Sequence, residues 1–243
     1  MKGNNMTQLV AKTDVEKLLM KAGFEFETEM DNTVPSSNVL DLPRVRIDIR
    51  DNGNHKLYID WGESYTEETR EEIYLPENRL EGVIIHSQFI RAFWKEGDTI
   101  PSCSSIDGVI RSDHPLSKSC IKCQEAVIGE GRCKPKYRLL ILSRIDGKII
   151  PLLLNLPPTS IKHYEAHKKR LLRSKLPLIA VNTVFNLIPV KKNGYQWGEL
   201  EFSINGLADT DMLTVAKEAR DELKRFTEKI QAQDYVEPGD KVS

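Results

Sequence analysis

The chain lacks any run near the roughly 18 apolar residues that a membrane-crossing helix needs. Its longest apolar stretches, such as 149–154, are only strand-length. The opening residues, Met1 to Lys12, have no apolar core, which predicts no secretory leader and a cytoplasmic protein. Missing too are a Gly-rich phosphate loop, a Gly-x-Ser-x-Gly elbow and a cluster of carboxylates, so no enzyme chemistry is expected. Net charge is nearly absent, at −1 over 243 residues.

The distribution of charge says more than its total. Residues 1–80 hold ten cationic against sixteen anionic side chains, and residues 201–243 hold six against ten. The middle, 81–200, holds nineteen against ten and is therefore +9. A basic middle between acidic flanks can bind a polyanion. A length of 243 residues fits one large domain or a domain with an added subdomain.

Periodicity divides the chain further. A short helix is expected after Thr13 or Asp14, with Val15, Leu18 and Leu19 on its apolar side. Residues 31–38 read as linker. Residues 44–50 and 56–61 alternate polar and apolar side chains around a turn at 51–54, which predicts a hairpin. The acidic run 63–77 reads as a solvated connector. Residues 82–94 and 137–144 predict strands, and Asp146-Gly147 predicts a tight hairpin into a return strand, 148–156. Thr159 or Ser160 is placed to cap a helix running to about Ser174, with Ile161, Tyr164, Leu171 and Leu172 apolar and Lys162, Lys168, Lys169, Arg170 and Arg173 opposite. Residues 178–190 and 197–204 predict a final strand pair turned at 191–194.

Strand, strand, strand, helix, strand, strand is the order of an oligonucleotide/oligosaccharide-binding (OB) barrel. The expected class is therefore mainly β with helices (α+β). It comprises an OB-fold-like five-stranded barrel over 81–207, a four-cysteine zinc insertion over 101–136, and an N-terminal helix and hairpin extension over 1–80. A C-terminal helix, 208–232, is capped by Asp209, with Leu213, Ala216, Ala219, Leu223, Phe226 and Ile230 forming one stripe. A polar, flexible tail follows over 233–243.

The four cysteines fall as Cys103-x16-Cys120-x2-Cys123-x9-Cys133. Two thiolates two residues apart can wrap one metal, and the flanking pair completes a closed tetrahedral site, so a structural Zn2+ is expected. Gly129 and Gly131, on the approach to Cys133, supply the flexibility such a knuckle needs. Disulfides, an iron–sulfur cluster and unbound thiols are the alternatives. His163 and His167, four apart on the basic helix, have metal-ligand spacing but read as a solvated face. A cationic path of Arg132, Lys134, Lys136 and Arg138 leaves the cysteine segment, and Lys191 and Lys192 lie in the last hairpin. Trp94, Tyr137, Tyr195 and Trp197 are the candidate stacking faces. Phosphate contacts and base stacking are what binding of a single strand requires.

The run Cys103-Ser-Ser-Ile-Asp-Gly108 and the Cys-x2-Cys with its Gly-x-Gly-x-Cys ending are two parts of a recognisable pattern. The others are 138–142 (Arg-Leu-Leu-Ile-Leu) and 151–160 (Pro-Leu-Leu-Leu-Asn-Leu-Pro-Pro-Thr-Ser). Over about 100–205 the chain resembles zinc-containing single-stranded DNA-binding proteins of OB-fold type encoded by bacteriophages and mobile elements. The resemblance implies sequence-tolerant single-stranded DNA binding, with RNA as a further possible ligand, in replication or recombination alongside other replication proteins. Such proteins often end in a strongly acidic tail, of which Asp234, Glu237 and Asp240 are a thin version. The alternative is a zinc-stabilised protein-interaction adaptor in a replication or transcription complex. Whether the knuckle path or the basic helix carries the phosphates is an open contest, with the knuckle ahead.

Overall fold

In a computed structural model, the described residues are 12–23, 25, 42–48, 54–61, 72–96, 98, 100–127, 130–224, 227–230 and 234–235. The linker expected at 31–38, the turn at 51–53, most of the acidic run and the tail beyond 235 lie outside them. The chain divides into two compact units, Met1–Asp41 and Leu42–Ser243. In the first, helix α1 spans Lys12–Lys21 and so runs through the two residues offered as its caps.

The second unit is a curled, open, mostly antiparallel sheet with helices on both faces. Its strands are β1 (Arg44–Asp48), β2 (Lys56–Asp60), β3 (Glu72–Tyr74), β4 (Arg79–Phe93), β5 (Cys103–Ile106), β6 (Val109–Ile110), β7 (Lys134–Ile145), β8 (Lys148–Leu156), β9 (Val181–Lys192) and β10 (Tyr195–Leu207). Neighbours run β10-β9-β4-β7-β8-β1-β2-β3, with β5 and β6 branching from β4. The hairpin β1–β2 thus extends the main sheet, with β1 parallel to β8 through Arg44↔Leu153. β4 is long enough to serve two partners. Its first residues pair with β9 (Arg79↔Asn186) and the rest with β7 (Phe89↔Tyr137), with a bulge between Ile84 and His86. Asp146-Gly147 and Asn193-Gly194 close their hairpins at positive φ on both residues, the twist that two-residue turns need.

Alternation sends β7 side chains to two different cores. Leu139 and Ile141 join Ile84, Leu154, Phe185, Leu200 and Phe202 on the concave side. Helix α2 (Pro158–Arg173) plugs that side with Tyr164. Leu140 and Leu142 join Val83 and Ile85 on the convex side, covered by Met212, Ala216 and Leu223 of helix α3 (Thr210–Lys224). A strand covered on both faces reads as an unbroken apolar run, as 139–142 does. The curl also brings β10 against the first hairpin. A Cβ added at Gly198 would lie 3.3 Å from His55 and 3.4 Å from Ile47.

Several local expectations need correction. Neither Thr159 nor Ser160 caps α2. Pro157 stands at the N-cap, and Ser160 is fully buried with its Oγ accepting the Leu200 amide at 2.9 Å. Leu172 faces solvent at 78% exposure, while His167, five residues earlier, is buried. Asp209 does cap α3, its Oδ1 accepting the Met212 amide at 2.7 Å.

Candidate functional site

The cysteine segment hangs between β5 and β7. Phe93 pairs with Cys103, and Ala92 pairs with Lys134, so Cys133 enters the same row on the other side of Phe93. Cys120 and Cys123 bracket a single 3-10 turn, with the Cys123 amide donating to the Cys120 carbonyl at 3.4 Å. The returning chain crosses close over 124–125. The Cys133 amide donates to the Glu125 carbonyl at 2.8 Å, and a Cβ on Gly131 would lie 2.2 Å from that same oxygen. Arg91 braces the loop from β4 through the Ala126 carbonyl at 2.6 Å.

The Cys133 thiol is pushed up to about 11, first by burial and then by Cys103, Cys120 and Cys123, against the pull of Arg91. Among the described residues, no three His, Cys, Asp or Glu side chains stand at metal-holding distances. Neutral thiols do not need to converge, whereas thiolates on a cation do. From 107 to 132, Ala126 is the one buried residue among those described, while Ile121 is 96% exposed. So little burial does not offset the entropy of ordering such a segment. A four-thiol donor set with a compact glycine-dependent return is what a structural zinc would organise, with Cys103, Cys120, Cys123 and Cys133 as ligands.

The cationic path does not lie on one surface. Arg132 and Lys134 are exposed; Arg132 pairs with Glu125 at 2.6 Å and sits over the Phe93 ring at 4.9 Å. Arg138 is 1% exposed and Lys136 is 6% exposed. Arg138 pairs with Asp234 at 2.9 Å and donates to Gln88 and to the carbonyls of Thr227 and Lys229. Lys136 lies over the Tyr235 ring, and Trp94 meets that ring edge-on at 4.8 Å. Odd and even positions of a strand face opposite ways, so Arg132, Lys134, Lys136 and Arg138 could share a side. What the sequence does not reveal is that the chain's own C-terminal segment covers the last two. Asp234, expected in a flexible tail, is 1% exposed.

Tyr137 faces the other way, into a cleft of about 420 Å3 lined by Phe89, Arg91, Asp107, Gly108, Cys120 and Ile121. Its ring packs on Phe89 at 5.0 Å, and the Arg91 guanidinium lies 5.2 Å over Phe89. Lys168 of α2 reaches the same ring, 4.4 Å from its centroid, and donates to the hydroxyl at 2.8 Å. Burial pushes the Tyr137 hydroxyl up, and its bond to Glu165 adds to this. Knuckle and basic helix, rivals on the sequence alone, therefore meet at Tyr137. Sequence reasoning does not single out Phe89, Arg91 and Asp107. Asp107-Gly108 between two short apolar runs is itself a hairpin signal, and it forms the β5–β6 turn.

Lys191, Lys192 and Tyr195 are exposed on the β9–β10 hairpin, Tyr195 at 75%. Trp197 is half-buried and donates to Glu199 at 2.8 Å. This hairpin lies beyond the Arg79 end of β4, whereas the knuckle is at its Phe93 end. Burial raises the Glu199 carboxyl, but bonds from His163, Lys162 and Trp197 outweigh it and hold the group at about 2. His163 is thus committed to Glu199 at 2.7 Å, and His167 is wholly buried, held at about 4 by burial first and then by Arg170. The pair is neither a solvated face nor two ligands for one metal. No helix among the described residues is long and apolar enough to cross a membrane. No protein family, curated protein or solved structure matches the chain.

Proposed function

We propose that the protein is a single-stranded DNA-binding protein of OB-fold type, tolerant of sequence, whose knuckle is closed by one structural zinc. The observation that carries the reading is the cleft where Phe89 and Tyr137 form an aromatic floor beside Arg91 and Lys168. Unpaired bases stack on such floors, and cations beside them track the phosphates. The exposed cations Arg132, Lys134 and Lys169 extend the surface on either side. In support, the pairings β4–β7, β7–β8, β4–β9 and β9–β10, with α2 between β8 and β9, are compatible with an OB order, although β8 pairs with β1 rather than β10 and the sheet stays open. A context in phage or mobile-element replication or recombination rests on the sequence resemblance.

Zinc bound by the four cysteines would hold residues 107–132 as a rigid wall of the cleft, since Cys120 and Ile121 line it. The protein side chains then do the binding. Arg91 fixes the loop, Lys168 sets the Tyr137 ring, and the rings accept a base.

A salt titration of labelled oligonucleotide binding tests the reading. Affinity should fall steeply with salt, by about 0.7 in log slope per phosphate contact on a single strand. No binding at low salt would overturn it and favour a protein-interaction adaptor. For that second reading the knuckle offers exposed Val109, Leu116, Ile121 and Val127.

A further inference from the structure

The row of register partners that carries the aromatic floor ends on a carboxylate. Tyr137 of β7 pairs with Phe89 of β4. On the other side of β4 the register with β5 runs up to Ile90↔Ile106, so the next position across from Phe89 is Asp107. There the turn has begun, and Asp107 and Gly108 both have positive φ, at 50° and 82°. Asp107 nonetheless keeps both ladder bonds to Phe89. Its amide donates to the Phe89 carbonyl at 2.8 Å, and its Oδ1 accepts the Phe89 amide at 2.8 Å in place of a backbone oxygen. The carboxylate is thereby fixed at the wall of the cleft of about 420 Å3, beside the half-buried Phe89 ring. Its second oxygen takes no hydrogen bond from the described residues. A Cβ on Gly108, next in the chain, would meet nothing within 4 Å, so the turn does not crowd the approach.

We infer that Asp107 selects the base this cleft takes, and that the base is guanine. The inference rests on the single-strand-binding reading and adds to it a choice at one nucleotide position, with contacts elsewhere along the strand still tolerant of sequence. An ionised carboxylate only accepts hydrogen bonds. Guanine is the base whose Watson–Crick edge presents two adjacent donors, N1–H and the N2 amino group, and so matches both oxygens of a carboxylate. Oδ1 keeps a lone pair for this after accepting the Phe89 amide. Adenine and cytosine present one amino group beside an unprotonated ring nitrogen, which a carboxylate repels. Thymine presents a single N3–H between two carbonyl oxygens. An unstacked base held on an aromatic face is read through this edge.

Charge orients the nucleotide in the same sense. Asp107 repels phosphate, whereas the Arg91 guanidinium lies 5.2 Å over Phe89 and the Lys168 ammonium 4.4 Å over Tyr137, further along the row. A base stacked on Phe89 with its edge to Asp107 therefore directs its sugar and phosphate towards the cations. The turn itself needs only a residue that accepts positive φ and an oxygen for the Phe89 amide, and asparagine supplies both. Asp107→Asn thus separates the making of the turn from the reading of the base.

The test titrates the full chain and its Asp107→Asn variant, by fluorescence anisotropy, with three labelled strands. One is a short oligothymidylate, the second carries a single central guanine, and the third carries hypoxanthine there, which lacks the N2 amino group. We expect the guanine to tighten binding to the parent at least about fivefold, the lower end of what a bidentate base contact gives. Hypoxanthine should recover only part of that gain. Asp107→Asn should remove the gain while binding the all-thymine strand as tightly as the parent or tighter. Binding of the all-thymine strand with no gain from guanine overturns the inference and leaves the single-strand reading intact. A guanine gain that persists in full in Asp107→Asn overturns it as well, because another group then reads the base. Should circular dichroism show the variant unfolded, the guanine and hypoxanthine strands on the parent decide, and equal affinity for the two overturns the inference. Absence of binding to every strand by both proteins refutes the single-strand reading and this inference with it.

Discussion

Replacing His167 by Gln isolates one buried titration. His167 is 0% exposed beneath Phe202, with its Nε2 3.5 Å from the Thr183 hydroxyl and its Nδ1 without a partner among the described residues. Burial, then Arg170, lowers its pKa from 6.5 to about 4. In the unfolded chain the ring takes a proton near 6.5, so between pH 6.5 and 4 the unfolded state binds more protons. Stability from this group is therefore complete above pH 6.5 and lost as pH falls towards 4. At about 1.36 kcal/mol for each pH unit below the unfolded value, the loss between pH 7 and pH 5 is about 2 kcal/mol before solvent screening, or about 1–2 kcal/mol after it. For a chain of this size that is a fall of roughly 3–6 °C in Tm. His86, lowered by burial and then by Lys224, titrates in both proteins and cancels from the comparison. The assay is urea unfolding of both proteins at pH 7, 6 and 5. His167→Gln should cost stability at pH 7 and then lose less of it on acidification. Parallel curves would show that the ring charges freely in the folded state, and the argument from its burial would fail.

Elemental analysis of protein purified without chelator should give one zinc per chain, and Cys123→Ser should lower both metal content and stability; metal-free protein with unchanged Tm would end the zinc reading. Gly131→Ala should do the same without touching a thiol, since its methyl would meet the Glu125 carbonyl at 2.2 Å; such a clash costs about 1–3 kcal/mol or more. Lys168→Glu should weaken oligonucleotide binding and flatten its salt slope by about 0.7, whereas Tyr137→Leu should weaken binding with the slope kept, because stacking releases no counterions. Glu199→Gln should lower stability at pH 7 by at most about 3 kcal/mol and converge on the parent towards pH 2, as the depressed carboxyl is protonated.

Local signals are legible wherever one residue decides the outcome. Asp146-Gly147 and Asn193-Gly194 turn where their sequence says, because few residues other than Asn, Asp and Gly accept positive φ. Asp209 caps α3 for an equally local reason, an oxygen within reach of the next turn's amide. The start of α2 is not legible in this way, because Ser160 has a stronger claim on its hydroxyl, the buried amide of Leu200, forty residues away. Leu172 and His167 exchange their expected environments for the same kind of reason. Helical period places both near the boundary of the apolar face, and Phe202 and Thr183 of the sheet determine which is covered.

Periodicity, turn chemistry and residue spacing act over a few residues, so most of the strands, their hairpins and the mainly β class can be read from the chain alone. The same reading names Tyr137, Lys136 and Arg138 as residues of interest. Which side of the sheet each one serves is a property of the folded molecule. β7 turns Tyr137 towards Phe89 and Lys168, and its neighbours Lys136 and Arg138 towards the segment from Thr227 to Tyr235. That division depends on contacts across as many as 96 residues of chain, Arg138 to Asp234, and no local pattern records which distant segment will cover an exposed strand face.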